Sequence, residues 1–425
     1  MADTAQDLIG MDSAGSVFFA RRRNDKRIQN SLDGFGIQIM KAIVLIFILP
    51  MSLHGASATG VEPQSCLDCH GNFSPKIIAA WENSKHAAHN VGCADCHGKN
   101  HSTIFTRQGQ VSAAVCGACH ARQQKEFDQS LHAAAIDVMR ADPKFSRLSP
   151  TMAEAGCVGC HQIGNRFSDG SRGKCNSCHS GHGFSVAEAS RPEACAQCHS
   201  GPDHPQMAAW QASKHGQLFA DKETRAQAPT CVTCHMPKGT HNTGVGLSFG
   251  QVANGAVLEN VKPPVKMRVL TEPEARRQRD NMVQTCLPCH SSRFAMDSLS
   301  QADAVKTEAD ALLEQAVKLI TALDAEGLLE RSGTTSYTKG SNTAQPMVLG
   351  LDQPYDGLSQ IEQRFFDMFK FHHASTFKGA YHHSPEFTHN EGFLRMKQDL
   401  TYLNNEAARL RAEGRRKAAN QKVSP

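Results

Sequence analysis

The sequence predicts a mainly α-helical protein in two parts: short helices and loops over residues 59–298, then long helices over residues 299–425. Aromatic residues make up only 6% of the 425 residues, and the first part has few long periodic apolar runs, so its core cannot be built from side chains alone. All sixteen cysteines lie in the first part, whereas the second part has none and carries apolar residues at helical spacing.

The cysteines form eight copies of a Cys-x-x-Cys-His motif, which we number 1 to 8 in chain order. Their cysteines are Cys66, Cys69, Cys93, Cys96, Cys116, Cys119, Cys157, Cys160, Cys175, Cys178, Cys195, Cys198, Cys231, Cys234, Cys286 and Cys289. Their histidines are His70, His97, His120, His161, His179, His199, His235 and His290. Such a motif attaches haem c through both thiols and offers its histidine to the iron, so we predict eight covalent haems.

A single Cys-x-x-Cys also occurs in half of a zinc site or in a redox disulfide. Zinc sites do not require a histidine directly after the second cysteine, and a thioredoxin-like fold does not need eight active-site pairs. The repetition therefore favours haem, and the porphyrins would replace side chains as the buried apolar surface of residues 59–298.

The N-terminus predicts export. Residues 42–53 are apolar, follow Lys41 and precede the small residues 56–58, which is typical of a signal peptide over residues 40–58 and of a periplasmic protein. The apolar run is short for a membrane span, although an uncleaved anchor stays an alternative. Residues 1–39 are polar, and we interpret them as an over-extended start or as a long n-region.

The formal net charge of +4 does not indicate a nucleic-acid partner, because the basic residues are spread along the chain. Two propionates on each haem would also add negative charge.

A repeated Trp-x-x-Ser-Lys-His segment contains both tryptophans of the chain, Trp81 and Trp210. It ends at His86 in the first copy and at His215 in the second, and a further Cys-x-x-Cys-His motif follows each copy. We interpret the tryptophan as packing on a haem and the histidine as reaching the far side of another iron. The alternative is an exposed helix end.

Fourteen of the 22 histidines lie outside the motifs and could serve as second iron ligands. The predicted second ligands are His86, His101, His132, His182, His215, His241 and one C-terminal histidine, for which we take His382. The C-terminal part also offers His372, His373, His383 and His389, and the sequence does not show which of the five is the ligand. A haem with two histidine ligands only transfers electrons, so catalysis requires a haem whose iron has no second histidine ligand. Counting the histidines does not identify which haem this is.

Apolar residues of the second part recur at helical spacing in three stretches. These residues are Ala309, Leu312, Leu313, Ala316, Ile320 and Leu323, then Ile361, Phe365 and Phe369, and then Met396, Leu400, Leu403, Ala407 and Leu410. The last stretch alternates spacings of four and three, which predicts a helix packed against another helix. The partner helix could belong to the same chain or to another one.

The order and surroundings of the motifs resemble the octahaem hydroxylamine oxidoreductase (HAO) family from about residue 66 to about residue 410. The resemblance is carried by CAQCHSGPDHPQ at residues 195–206, WQASKHG at 210–216 and TCVTCHMPKGTH at 230–241. It continues in FHH at 371–373, KGAYHHSP at 378–385 and EG at 391–392.

The resemblance implies that motif 4 holds a five-coordinate catalytic haem on His161, with Asp203 and His204 above it, and that the other seven haems are bis-histidine. An imidazole beside a carboxylate can relay protons at neutral pH. A surface turn is the alternative for Gly-Pro-Asp203-His204. The resemblance also implies a homotrimer formed through the C-terminal part. A membrane-bound quinol-oxidising protein or a soluble cytochrome c is the expected redox partner.

One departure from the family bears on the direction of the reaction. Oxidising members carry a tyrosine after the His-x-x-Pro stretch that becomes bonded to the catalytic haem, whereas Phe387 and His389 stand there in this chain. Tyr381 is close in sequence but precedes the proline. We therefore expect a periplasmic reductase that converts nitrite or hydroxylamine to ammonium. A hydroxylamine dehydrogenase and a non-catalytic electron-transfer cytochrome remain the alternatives.

Overall fold

A computed structural model of the protein describes residues 64–141, 148–248, 251–258, 265–329 and 359–421, and the expected signal peptide lies outside them. The described residues belong to one compact unit that spans Ala58–Pro425. Among the helices of these ranges, none is long and apolar enough to cross a membrane.

The first part consists of short helices. Its α-helices are α1 (Gln64–Phe73), α2 (Pro75–Glu82), α3 (Lys85–Ala88), α4 (Cys93–His97), α5 (His101–Thr106), α6 (Ala113–Gly117), α7 (Ala121–Asp128), α8 (Leu131–Ala141), α9 (Pro150–Met152), α10 (Gly159–His161), α11 (Val186–Ala189), α12 (Pro192–Ala196), α13 (Gln206–Gln211), α14 (Lys214–Ala220), α15 (Cys231–His235) and α16 (Glu272–Cys286). A π-helical turn covers Ala153–Val158, and 3₁₀ turns cover Gln162–Gly164, Cys175–Ser177, Arg225–Gln227 and Pro237–Gly239.

The second part contains two long helices. Its α-helices are α17 (Ser292–Ala325), α18 (Gln360–Asp367), α19 (His373–Tyr381), α20 (Pro385–Phe387) and α21 (Leu394–Gln421), with π-helical turns at Met368–His372 and Thr388–Phe393. The mainly α-helical class predicted from the sequence is confirmed.

Each of several motifs forms one helical turn. The histidine N–H donates to the carbonyl of the first cysteine at 2.8 Å in motif 3, 3.1 Å in motif 5, 2.9 Å in motif 6 and 2.9 Å in motif 8. This bond joins residues four apart, which share one side of a helix. The two thiols and the imidazole of a motif are thus brought to the same side of the chain.

The second part has a conventional hydrophobic core. The residues Ala309, Leu312, Leu313, Ala316, Ile320, Leu323, Ile361, Phe365, Phe369, Met396, Leu403 and Ala407 are buried, and Leu400 and Leu410 are partly buried against them. These are the residues whose spacing predicted helix faces. Because α21 contributes to the same core as α17 and α18, the seam of α21 packs within one chain.

A two-stranded antiparallel hairpin was not predicted. It pairs β1 (Gln251–Leu258) with β2 (Val265–Val269), and the register shifts between Ala253 and Ala256. The alternation of apolar and basic residues in Val-Lys-Met-Arg-Val over 265–269 is the period-two signal that indicates this strand.

Candidate haem sites

Seven motif histidines each face a histidine from elsewhere in the described chain, and His199 has two at the same ring distance of 6.0 Å, His132 and His204. The ring-centroid distances are 6.3 Å for His70 and His101, 6.1 Å for His97 and His182, 6.1 Å for His120 and His86, 6.2 Å for His179 and His241, 6.0 Å for His199 and His132, 6.4 Å for His235 and His382, and 6.1 Å for His290 and His215. A metal–imidazole bond of about 2 Å, with the ring centre roughly 1 Å behind the nitrogen, gives about 6 Å between two rings on one ion. The seven pairs therefore have the spacing that one iron between two imidazoles needs.

The second histidine of each pair is one of the seven named from the sequence. His101, which follows motif 2, faces motif 1, and His182, which follows motif 5, faces motif 2. His382 comes from the C-terminal end of the chain and faces motif 7. Each pair thus joins segments that are distant in sequence.

His161 of motif 4 is different, because no second histidine ring lies opposite it among the described residues. Its Nδ1 lies 2.9 Å from the carbonyl oxygen of Ala135. A ring N–H that donates to a backbone carbonyl fixes the tautomer and leaves Nε2 as the ligating atom. His161 is therefore oriented as an iron ligand, although nothing comparable to the seven pairs faces it.

Helix α8 provides the carbonyl that orients His161. The turn after motif 4 packs so closely on α8 that a Cβ at the buried Gly164 would lie 2.6 Å from the carbonyl oxygen of His132. Arg166 donates to both carboxylate oxygens of Asp137 on α8, at 2.7 and 2.8 Å, and the Asp137 side chain is 3% exposed. A glycine and a buried ion pair thus hold motif 4 against α8.

Asp203 and His204 form a turn in which their side chains contact each other. The His204 N–H donates to the Gly201 carbonyl at 3.0 Å, which is the turn expected as the alternative interpretation. The Nδ1 of His204 also lies 3.0 Å from Oδ1 of Asp203, and both side chains are partly exposed. The hydrogen bond from His204 holds the pKa of Asp203 well below its usual range, so the carboxyl is ionised.

Two lysines of the C-terminal part also reach Asp203. The Nζ of Lys370 lies 3.3 Å from Oδ2 of Asp203, and the Nζ of Lys378 donates to the Asp203 backbone carbonyl at 2.8 Å. Burial lowers the pKa of Lys378 to about 8. Sequence reasoning missed both lysines, because they lie more than 160 residues after the carboxylate and no local pattern marks them.

The Asp203–His204 pair lies beside motif 6, which in turn touches motif 4. The ring centroid of His204 lies 6.0 Å from that of His199, and the Sγ of Cys160 lies 3.8 Å from the carbonyl of Gln197, between the cysteines of motif 6. His161 shares no hydrogen bond, ion pair or ring contact with the pair among the described residues. The structure thus groups the pair with motifs 4 and 6 without direct contact to His161.

Several paired histidines are kept neutral by burial. Burial lowers the pKa of His199 to about 4 and that of His235 to about 4, and it also lowers the pKa of His132 and His382. A neutral imidazole is the form that binds a metal ion. These sites therefore suit iron ligation at neutral pH.

The Trp-x-x-Ser-Lys-His repeat presents its histidine on a capped helix. The side chains of Ser84 and Ser213 accept hydrogen bonds at the N-termini of α3 and α14, and both serines are buried. Such caps fix where a helix begins. The following His86 and His215 face motifs 3 and 8, so the exposed helix end is the poorer interpretation.

His372 and His373 belong to the helical bundle. The Nδ1 of His372 lies 2.5 Å from Oδ2 of the buried Asp399, and the Nε2 of His373 lies 2.7 Å from Oδ1 of Asp310. Neither ring faces a motif histidine among the described residues.

The cysteines can be compared with the two alternatives for a Cys-x-x-Cys pair. All sixteen lie in the described residues, and none forms a disulfide. Within the same residues, no three side chains of His, Cys, Asp or Glu converge to hold a metal ion. The motif histidines instead lie opposite other histidines in the pairs described above.

The repeated motif turns in a mainly α-helical fold define a multihaem c-type cytochrome. The chain belongs to the family described as seven times multi-haem cytochrome CxxCH, whose model matches residues 62–336. Membership of this family implies covalently bound haem c.

One known relative matches most of this chain. The chain is 25% identical over 453 residues to a probable nitrite reductase-hydroxylamine oxidoreductase fusion protein of Kuenenia stuttgartiensis, covering 82% of this chain. The chain spans only about half of that relative, 52% of its length.

Two solved structures share the fold. A chain of the reducing HAO-like protein complex of Kuenenia stuttgartiensis superposes with a TM-score of 0.66 at 24% identity, covering 85% of this chain and 87% of that one. A hypothetical multiheme protein superposes with a TM-score of 0.65 at 20% identity, covering 85% and 98%. The fold is therefore HAO-like, as the resemblance in sequence implied.

Proposed function

We propose that the protein is an octahaem oxidoreductase that reduces nitrite or hydroxylamine to ammonium at the haem of motif 4. The observation that carries this proposal is the exception among the motif histidines: seven face a second histidine, and His161 does not. Bis-histidine irons only transfer electrons, whereas an iron without a second protein ligand can bind substrate.

The residues around motif 4 have distinct tasks in this proposal. Haem bound at motif 4 would supply electrons and an open iron position. His161 would hold that iron through Nε2, because its Nδ1 is engaged by Ala135. The Nδ1 of His204 is engaged by Asp203, which leaves Nε2 to deliver protons to reduced nitrogen compounds.

The proposed reductive direction rests on the lack of a tyrosine at the positions where oxidising members of the family carry the residue bonded to the catalytic haem. Neither Phe387 nor His389 carries a phenol, and the hydroxyl of Tyr381 donates to Asp303 at 2.6 Å. Tyr381 packs on the cluster of Val283, Ala295 and Leu299, next to Cys286 of motif 8. This environment supports an uncross-linked catalytic haem and a reductase.

We further propose that the protein acts in the periplasm as a homotrimer. It would receive electrons from a membrane-bound quinol-oxidising protein or a soluble cytochrome c. The proposal depends on the signal-like N-terminal sequence and on the family resemblance.

The first test counts haems. Intact mass spectrometry of the purified protein should give eight haems on a chain cleaved near residue 58, and electron paramagnetic resonance should show one high-spin ferric iron among low-spin ones. An entirely low-spin spectrum would instead favour the electron-transfer cytochrome.

A second test addresses the histidine pairs. His382→Ala should convert one further iron to the high-spin ferric state, because the motif 7 histidine would lose the ring opposite it. His389→Ala is the control in the same segment and should leave the spectrum unchanged, since His389 is exposed. An unchanged spectrum of the His382 variant would refute the assignment of this ligand.

A third test addresses direction. Peptide mapping should recover the fourth haem attached only to Cys157 and Cys160, and reduced dye should drive nitrite or hydroxylamine consumption faster than hydroxylamine reduces the oxidised dye. A tether from Tyr381, or faster oxidation under matched conditions, would support the hydroxylamine dehydrogenase.

A further inference from the structure

Two lysines of one helical segment converge on the Asp203–His204 pair. Lys370 lies in the π-helical turn Met368–His372 and Lys378 lies in α19, eight residues later. Residues eight apart are about 80° apart around a regular α-helix, and a wide π turn reduces this offset. The wide turn therefore helps both side chains reach one carboxylate-bearing turn.

The lysines change the charge of the candidate site. Lys370 pairs with the side chain of Asp203, whereas Lys378 binds only its backbone carbonyl. One lysine thus balances the carboxylate, and the second adds a positive charge beside the Asp203–His204 pair. Without the lysines, the carboxylate alone would repel an approaching anion.

Lys378 is an unusual residue for a purely structural role. Its Nζ lies 5.8 Å from the ring centroid of Phe377, and most of its side chain is removed from water. Burying an ammonium group costs free energy that the Asp203 backbone carbonyl and the Asp203 carboxylate, which also pairs with Lys370, compensate only in part. A negatively charged ligand near the pair would supply the compensation that the protein itself does not complete.

We propose that Lys370 and Lys378 are specificity residues that favour an anionic substrate, nitrite, over uncharged hydroxylamine at the candidate site. This inference rests on the proposed function and adds a basis for choosing between its two substrates. Neither lysine is required for the electron or proton transfers themselves.

The test compares Lys370→Gln, Lys378→Gln and the double variant with the wild-type holoprotein. Optical titration of the ferric protein with nitrite and with hydroxylamine gives a dissociation constant for each ligand, and steady-state assays give KM and kcat for both. We expect each substitution to weaken nitrite binding roughly 10-fold, with hydroxylamine binding nearly unchanged and the loss seen in KM rather than kcat. Added salt should weaken nitrite binding to the wild type more than to the double variant.

Conservative and matched variants complete the design. Lys370→Arg and Lys378→Arg should restore most of the preference for nitrite, because they keep the charge. Lys397→Gln removes an exposed lysine of α21 and should change neither ligand. Haem content and far-ultraviolet circular dichroism identify any variant that fails to fold. In that case the binding of nitrite and hydroxylamine is compared between the arginine variants and the wild type.

The outcomes separate this inference from the proposed function. Equal weakening of nitrite and hydroxylamine, or failure of arginine to restore the preference, would show a structural role for the lysines and overturn the inference alone. If neither ligand perturbs the ferric spectrum of the wild type, both the proposed function and this inference are refuted.

Discussion

Replacing His204 with alanine is expected to lower turnover about 10²- to 10⁴-fold, the usual cost of removing one proton-transfer group. The Nδ1 of His204 is bonded to Asp203, so the variant removes the imidazole and leaves an ionised carboxylate that is a weak acid catalyst. Steady-state assays with reduced dye measure the effect. The low-spin signals and the haem content should not change, because His204 faces no iron as a second ligand in the proposed scheme.

His89→Ala is the control for this variant, since His89 is exposed and lies outside both the motifs and the seven ring pairs. It should retain wild-type turnover. Full turnover in the His204 variant would reduce the pair to a surface turn held by lysines.

Among the variants proposed here, the replacement of Asp137 with alanine is expected to lower the free energy of unfolding most. Breaking a buried ion pair by removing one partner costs about 3 to 5 kcal/mol, because the remaining charge loses the carboxylate that offset its desolvation. Arg166 donates twice to Asp137, whose side chain is 3% exposed. Helix α8 also carries His132 and the Ala135 carbonyl, so the high-spin signal of the motif 4 haem should broaden.

Thermal unfolding followed by circular dichroism measures this loss of stability. Asp297→Ala is the matched control, since Asp297 pairs with Arg293 on the surface, where such a pair contributes below about 1 kcal/mol. If both variants unfolded at the wild-type temperature, the ion pair would not hold motif 4 to α8.

The sequence could name the histidines but not their pairing. Six of the seven predicted second ligands were named because they follow motifs closely or lie in helix-like stretches, whereas His382 was one of five C-terminal candidates. Which motif each one faces depends on packing between distant segments: His382 faces motif 7, and His132 faces motif 6.

Contacts made by the backbone or across the fold were beyond sequence reasoning. The carbonyl of Ala135 has no sequence signature, because every residue carries one. Lys378 reaches a residue 175 positions away. The apolar seam of α21 was predicted correctly, but only the shared core with α17 shows that it is covered within the chain.

The seven histidine pairs have a consequence for how the protein matures. If each pair holds one iron, as we propose, it closes a loop, and a crosslink that closes a loop lowers the entropy of the unfolded chain. In that scheme haem would be attached while the motifs are still accessible, and the second histidine would arrive afterwards. Assembly would therefore proceed as a series of ring closures, in which His70 and His101, 31 residues apart, can meet long before His382 reaches motif 7. The last closure would await His382, so we expect a chain truncated before it to be more sensitive to proteases than the complete protein.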